Sequence, residues 1–414
     1  MTKHILLHGA DEYIGRLFVA EALAEWAQAG GTPALELWLS GHDAARVRVL
    51  AQQHGLQHCQ LAVAASPASP VQLVQLAQQL ADVDVLVNAT SPFDETAVVL
   101  VQAAILAGCH SVDLNSEVDV FRKLAPMGAQ ALAAQVALVR SAGPGAAPTA
   151  LMVSAALGLL QDSGYLQERC IGAVRIALQC VPDASRSSAA SVWRALSRDV
   201  TVVRAVAPPQ GGGGGGGAFR MRPDHVPIGV LERQFDFAVA GAPPATPRDT
   251  QIAAAANLVD TLVAGVEVER WVKVAGTVES YVGATTPARV AYPLGAAAAS
   301  LFVPLAPKRL LGVLASYTLG ALSDGPSVGP GLRHTIVIEI EDEERTCIAD
   351  WRLSTPDFYL TGARCAVAVA ATLARDGGAG LLSVAQVLDT NLATQPPSFG
   401  RALRECRLDK RVLA

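Results

Sequence analysis

Residues 3–29, KHILLHGADEYIGRLFVAEALAEWAQA, decide how the chain begins to fold. The apolar run in His4–His8 reads as a buried strand, and Arg16–Ala29 carries apolar residues at helical spacing. Between them lies Gly9-Ala10-Asp11-Glu12-Tyr13-Ile14-Gly15, a turn with a glycine at each end. A strand that passes through such a turn into a helix presents helix N-terminal N–H groups there, the arrangement that receives a pyrophosphate. In GxxGxxG spacing the middle glycine leaves room for the phosphate. Here Glu12 stands in its place, beside Asp11. A carboxylate at an empty helix N-terminus is stabilising by roughly 0.3–1 kcal/mol, and it repels a bound phosphate. The second diagnostic position ends the next strand, Leu39-Ser40-Gly41-His42. An Asp or Glu there reads the ribose hydroxyls of NAD, and an Arg reads the 2′-phosphate of NADP. The chain offers His42, with Arg46 and Arg48 shortly after it. The expected cofactor is therefore NADP or NAD, with the two arginines leaning toward NADP.

Outward from this turn the chain repeats one grammar. Apolar runs at Ala34–Leu39, Cys59–Ala64, Val83–Asn88, Ser111–Leu114 and Val136–Val139 read as strands. Asp43–His54, Pro70–Ala81, Ala97–Ala107 and Val118–Ala134 read as the helices between them. The pattern predicts an α/β domain over residues 1–148, a Rossmann-type doubly wound parallel sheet. After Gly143-Pro144-Gly145 longer strands appear, Ile171–Cys180 and His334–Ile340, the second with Ile336, Ile338 and Ile340 alternating against polar neighbours. Residues 149–354 are read as a second α/β domain with a mixed or antiparallel sheet. The seven glycines Gly211–Gly217 neither follow a strand nor open a helix, so 208–223 reads as a flexible loop and not a phosphate cradle. Residues 355–414 are expected to be C-terminal helices that return to the first domain.

Composition removes several classes. A chain of 414 residues, 51% hydrophobic and 17% charged, supports two large cores. A net charge of −5 with no Lys/Arg run argues against nucleic acid. Seven cysteines without regular spacing make neither a disulfide framework nor a CxxC site. With an N-terminal apolar run too short for a signal-peptide core, the expected location is the cytoplasm, with the cysteines reduced. His54, His58 and His110 show no ligand spacing, so no metal is expected, and no GxSxG elbow occurs. Tyr292–Leu322 is apolar but broken by Pro293, Pro304, Pro307, Lys308 and Arg309, which disfavours a spanning helix. Buried helices are the plain reading of that stretch. Peripheral membrane contact and a hydrophobic substrate wall are the others. The expected partner is a small-molecule substrate, and a homodimer is open.

Four stretches carry a family resemblance: Gly9–Gly15, with Tyr13 and Gly15 in place; Val83–Phe93 (VDVLVNATSPF); Gly108–Glu117 (GCHSVDLNSE); and Pro356–Ala371 followed by Gly380-Leu381-Leu382. Together they resemble the saccharopine dehydrogenase-like oxidoreductases, the group that includes trans-acting enoyl reductases. The resemblance implies a Rossmann domain with a second α/β domain, and hydride transfer between NAD(P)H and a C=N or C=C bond. It places Gly9, Ala10, Tyr13, Ile14, Gly15 and His42 in the cofactor-binding set with Asn88. Ala89, Thr90, Ser91 and Pro92 fall along the riboses, and Asp113 and Glu117 near the nicotinamide. Departures gather at the cofactor: Glu12 for the middle glycine, His42 for the strand-end arginine, and Ser91 for the glycine before Pro92. Ser111 and Ser116 also replace an aromatic residue and a glycine, and GPGAAPTALM (143–152) lacks the family's aspartates while Pro148 and Thr149 fit.

Asp113 and Glu117 are the candidate catalytic pair. They follow a parallel strand, at the sheet's carboxyl end where α/β folds place their sites. Reduction of an imine or enoyl group needs a proton as well as a hydride, and a carboxylic acid with a raised pKa gives one. The blander assignment has Asp113 capping the next helix and Glu117 pairing on its surface. Tyr281 and Tyr359 are further acid candidates, or simply packed tyrosines. The leading functional reading is an NAD(P)-dependent oxidoreductase acting on a small, apolar biosynthetic intermediate. A non-redox enzyme, a cyclase or isomerase that uses the inter-domain cleft without nicotinamide, is the alternative. A lipid-associated binding protein comes third.

Overall fold

Ile5, Leu6 and Leu7 are wholly excluded from solvent, and this apolar run forms the centre of β1 (Lys3–His8). The computed structural model describes residues 2–29, 34–63, 68–91, 93–179, 200–206, 220–226, 232–239, 250–255, 258–272, 275–283, 333–388, 403 and 406–412. The glycine run Gly211–Gly217, the apolar stretch Tyr292–Leu322 and Pro92 lie outside the described residues. Two compact units divide the chain: Met1–Pro148 with Phe358–Thr390 and Gln395–Arg404, and Thr149–Asp357 with Asn391–Thr394 and Glu405–Ala414.

In the first unit β1 leads into α1 (Tyr13–Ala29), then β2 (Leu35–Ser40), α2 (Ala44–His54) and β3 (Gln57–His58). Asp43 caps α2, its carboxylate accepting from the Ala45 and Arg46 N–H groups, and left-handed Gly55 ends it. Next come α3 (Pro70–Gln79), which Ser69 and Gln72 open as a capping box, β4 (Val85–Asn88), α4 (Phe93–Ala107) and β5 (His110–Asp113). Then follow α5 (Val118–Leu124), α6 (Gly128–Ala133) and β6 (Ala137–Val139); α7 (Ala146–Asp162) starts in this unit and belongs to the second from Thr149 on. The seven-stranded sheet is parallel throughout, with β15 (Gly380–Leu382) at its edge, in the order β15-β6-β5-β4-β1-β2-β3. The order reverses between β1 and β4, which opens a crevice at their carboxyl ends. Register sets the last residues of four adjacent strands side by side there: Ser40, His8, Asn88 and Asp113. All four are polar and buried.

Three expectations need correction. The third strand is Gln57–His58 and not Cys59–Ala64, because pairing with β2 begins right after the αL turn at Gly55. The single helix expected over Val118–Ala134 is broken by a 3₁₀ turn at Ala125–Met127, where Pro126 lacks an N–H and its ring blocks helical continuation. The C-terminal segment is not all helix: beyond α10 (Phe358–Asp376), β15 and α11 (Val384–Val387), the strand β16 (Arg407–Val412) joins the second unit. α10 packs on α1 and on β1, β4 and β5, and its buried Arg364 pairs with Glu21 at 3.2 Å. Gly362 of α10 passes against the Gly143–Pro144 turn, where a Cβ would lie 2.5 Å from the Pro144 nitrogen.

The second unit is built on a mixed sheet. β7 (Ile171–Gln179) pairs parallel with β12 (Ala275–Gly283) and antiparallel with β13 (His334–Asp342). β14 (Cys347–Thr355) and β16 extend one side. On the other lie β11 (Thr250–Ala255) and β10 (Glu232–Asp236), while β8 (Val200–Val206) pairs β12 and β9 (Arg220–Val226). The short helix α8 (Tyr165–Glu168) precedes β7, and α9 (Val259–Trp271) packs on this sheet, where Thr261 donates to Ser280 at 2.7 Å. Ile336, Ile338 and Ile340 are completely buried, but so is Val337 between them, so β13 is buried on both faces and not on the one that their alternation implies. The intervening Glu339 and Glu341 pair with Arg233, and Glu341 also with Arg175. Among the described residues no helix is long and apolar enough to cross a membrane.

Candidate functional site

The turn after β1 takes its shape from its two glycines. Gly9 has φ +99°, and a Cβ there would lie 2.7 Å from both the Ala89 carbonyl carbon and Thr90 Oγ1. The turns after β1 and β4 therefore touch backbone to backbone, and only glycine fits. A Cβ on Gly15 would collide with the Gly9 carbonyl, so this glycine seats α1 against the strand end. These are two of the three jobs glycines do in a dinucleotide turn, the tight bend and the close helix packing. The middle position carries half-buried Glu12, whose N–H donates to Gly9 O at 3.0 Å and whose carbonyl accepts from Arg16 N at 3.0 Å. Ala10 is buried, Tyr13 and Ile14 are half-buried, and the Tyr13 ring meets Tyr359 edge-on at 5.4 Å.

Along this edge the strand ends divide into two halves. On the β1–β2 side, His8 Nδ1 and Ser40 Oγ are hydrogen-bonded at 3.1 Å, and Ser40 also accepts from Leu61 N. His8 Nε2 is sealed from solvent with no hydrogen-bond partner, and so is Thr90 Oγ1 beside Gly9. Burial first, then neighbouring His42, lowers the His8 pKa to about 4, so the ring is neutral near pH 7. His42 itself is exposed, its ring 5.9 Å from that of His8. Asp11 turns toward the end of β2: its Oδ2 accepts from Asp43 N at 3.0 Å, and its Oδ1 is buried against Gly41 without a donor.

On the β4–β5 side Asn88, Asp113 and Asn115 form one hydrogen-bonded chain. Asp113 is fully buried; its Oδ2 accepts from Asn88 Nδ2 at 2.9 Å, and its Oδ1 accepts from both the backbone N–H and the side-chain amide of Asn115. Asn88 Oδ1 takes the Thr90 N–H and Asn115 Oδ1 the Glu117 N–H, both at 3.1 Å. Burial raises the Asp113 pKa to about 6, the bonds from Asn115 and Asn88 oppose the rise, and Glu117 adds to it. Glu117, half-buried, is the N-cap residue of α5 but makes no side-chain cap bond. Asp113 therefore does not cap a helix. It ties the turns after β4 and β5 together.

The structure thus gathers Gly9, Ala10, Gly15, Asn88, Ala89, Thr90 and Asp113 at one edge, with half-buried Ser91 in the turn after β4. Tyr281 belongs to the second unit, where its hydroxyl donates to Glu279 at 2.7 Å and burial pushes its pKa up, away from acid duty. Three participants escape the sequence reading: Ser40, Asn115 and the lodging of Asp11 at Gly41. For Asn115 a signal existed, since Asp113-Leu114-Asn115 after a buried strand is a turn pattern in which a carboxylate accepts an N–H two residues on. Among the described residues no group of three or more His, Cys, Asp or Glu could hold a metal ion.

No protein-family model and no curated protein matches the chain. Solved structures match it from end to end. Apo saccharopine dehydrogenase (L-Glu forming) of Saccharomyces cerevisiae superposes with a TM-score of 0.57 at 14% identity, covering 100% of both chains. Homospermidine synthase of Legionella pneumophila, solved in complex with NAD, gives 0.55 at 9% identity, covering 99% of this chain and 92% of that one. At such identities the likeness is one of fold, and the fold of this chain is that of saccharopine dehydrogenase, a parallel Rossmann sheet with a second α/β unit.

Proposed function

We propose that the chain is a nicotinamide-dinucleotide-dependent oxidoreductase that reduces the C=N or C=C bond of a small-molecule substrate. The β1–β4 crevice carries this reading. There a positive-φ glycine, a helix packed on its carbonyl and two sealed but unpartnered polar atoms, His8 Nε2 and Thr90 Oγ1, share one strand edge. Buried polar atoms normally have partners, and a pair without them beside a phosphate-type turn fits a ligand's hydroxyl and phosphate oxygens. The NAD bound to homospermidine synthase, which has the same fold, supports the assignment.

The nicotinamide ring of such a cofactor supplies the hydride. Gly9 and Gly15 let backbone N–H groups approach the pyrophosphate, with Ala10, Tyr13 and Ile14 around it. Ala89, Thr90 and Ser91 run along the riboses. Asp113 works by position: to carry a proton it would have to forfeit a bond it accepts from Asn88 or Asn115, so it holds the two turns in shape. Glu117, with access to solvent, is the member of the pair we assign to proton delivery. An apolar substrate rests on the composition of Tyr292–Leu322.

Glu12 favours a second reading, a non-redox enzyme on the same fold, because its carboxylate stands where a phosphate approaches. Titration with NADH and NADPH, followed by cofactor fluorescence, separates the two. Saturable binding by the wild type, tightened about tenfold in Glu12→Gly by removal of like charge, is expected. Binding by neither protein at millimolar cofactor would leave the non-redox reading standing.

A further inference from the structure

The end of β2 lacks the side chain that a dinucleotide site uses to read the adenosine ribose. Ser40 is committed to His8 and Leu61 N, Gly41 has no side chain, and His42 is exposed. A carboxylate is nevertheless present. A Cβ built on Gly41 would collide with Asp11 Oδ1, so the Asp11 carboxylate fills the volume that a residue-41 side chain would occupy. The Asp43 N–H fixes it there at 3.0 Å, across 32 positions of sequence. Its second oxygen has no donor although it is sealed from solvent, and completely buried His8 Nε2 at the neighbouring strand end has none either. A buried carboxylate oxygen without a donor is costly, and a ligand's hydroxyl relieves that cost once the turn yields enough to admit it.

The surroundings suit an adenosine. Asp11 lines a groove of about 480 Å³ between the start of α1 and α2, with Ala10, Arg16, Arg46, Leu50 and Gln53. That volume lies in the range of small-ligand sites, about 300–1,000 Å³. The cations are engaged: Arg16 donates to the Asp11 carbonyl at 2.6 Å, and exposed Arg46 pairs with Asp43 at 3.3 Å. A 2′-phosphate would meet the Asp11 carboxylate, whereas a 2′-hydroxyl would donate to it.

We propose that Asp11 supplies from the first turn the ribose-reading carboxylate that β2 lacks, and that it makes the site select NAD(H) over NADP(H). This rests on the dinucleotide reading above. The test is fluorescence titration of the full chain with NADH and with NADPH. For the wild type, NADH is expected to bind at least about tenfold more tightly, the scale of one like-charge clash. Asp11→Asn should weaken NADH by about tenfold and shrink the preference to under about threefold. Asp11→Gly combined with Gly41→Asp, which moves the carboxylate to the strand end, should restore the preference, with thermal melts confirming that each variant folds. NADPH bound as tightly as NADH by the wild type, or an unchanged ratio in folded Asp11→Asn, would overturn the assignment to Asp11 while leaving the oxidoreductase reading intact. Failure of both cofactors to bind would overturn that reading, and this inference with it.

Discussion

Two carboxylates sit at the same edge of one parallel sheet, and their surroundings differ. Asp113 is fully buried and accepts hydrogen bonds on both oxygens, from Asn88 and Asn115. Asp11 holds one N–H, that of Asp43, and keeps a sealed oxygen with no donor. Three accepted bonds on a fully buried carboxylate tie it to its own turns. An unsaturated one at a strand end is poised for a partner from outside the chain. The residue that looks catalytic by position is bonded into its own turns, and Asp11, next to the Glu12 that replaces the loop glycine, is the one we propose for the ligand.

That contrast can be broken by mutation. The largest effect is expected from Asp113→Leu, which strands the amides of Asn88 and Asn115: stability should fall by about 3–5 kcal/mol in urea unfolding of the full chain. A loss under about 1 kcal/mol would remove Asp113 from the frame.

The pH dependence of stability sharpens the same point. Burial holds the folded Asp113 pKa at about 6, above the ordinary 3.8, so ionisation costs more in the fold than in the unfolded chain. Its contribution is therefore complete below the unfolded pKa and is lost as pH rises through the folded one. Asp113→Asn has no such titration. The difference in stability between wild type and variant should drift by on the order of 2–3 kcal/mol against the wild type from about pH 4 to pH 6. Asp260, also raised to about 6, is common to both proteins and cancels. A flat difference would place the titration elsewhere.

Gly9→Ala comes next. Positive φ and the backbone of Ala89 and Thr90 resist the new Cβ, so a loss of about 1–3 kcal/mol is expected with loss of dinucleotide binding. Retained cofactor affinity would detach the turn from the ligand. The smallest change belongs to Asp11→Asn, which should leave stability within about 1 kcal/mol while altering affinity. A large destabilisation there would make Asp11 a second Asp113.

The sequence disclosed what is local. Gly9 and Gly15 stand at a spacing that carries their geometry, and the buried runs of β1 and β4 needed only a count of apolar residues. The alternation of Ile336, Ile338 and Ile340 announced a strand, but not that Val337 on its other face would be buried as well. Short elements stayed hidden, since β3 and β15, of two and three residues, hold no period to read. β16 hid because Arg407, Asp409, Lys410 and Arg411 give it the charge of an edge strand and little apolar pattern. The Arg175–Glu279–Glu341 ion pairs were invisible because three strands supply them. Asp11 was legible as a residue but not as a site, because the Gly41 that receives it is made adjacent only by the sheet.

Hydrogen exchange with and without NADH tests the division of the edge most directly. Slowed exchange is expected in residues 9–15 and 41–43 when NADH is added, with little change in residues 113–117, whose amides at Asn115 and Glu117 are already bonded within the chain. Unchanged exchange at residues 9–15 under saturating NADH, or protection confined to 113–117, would contradict that division.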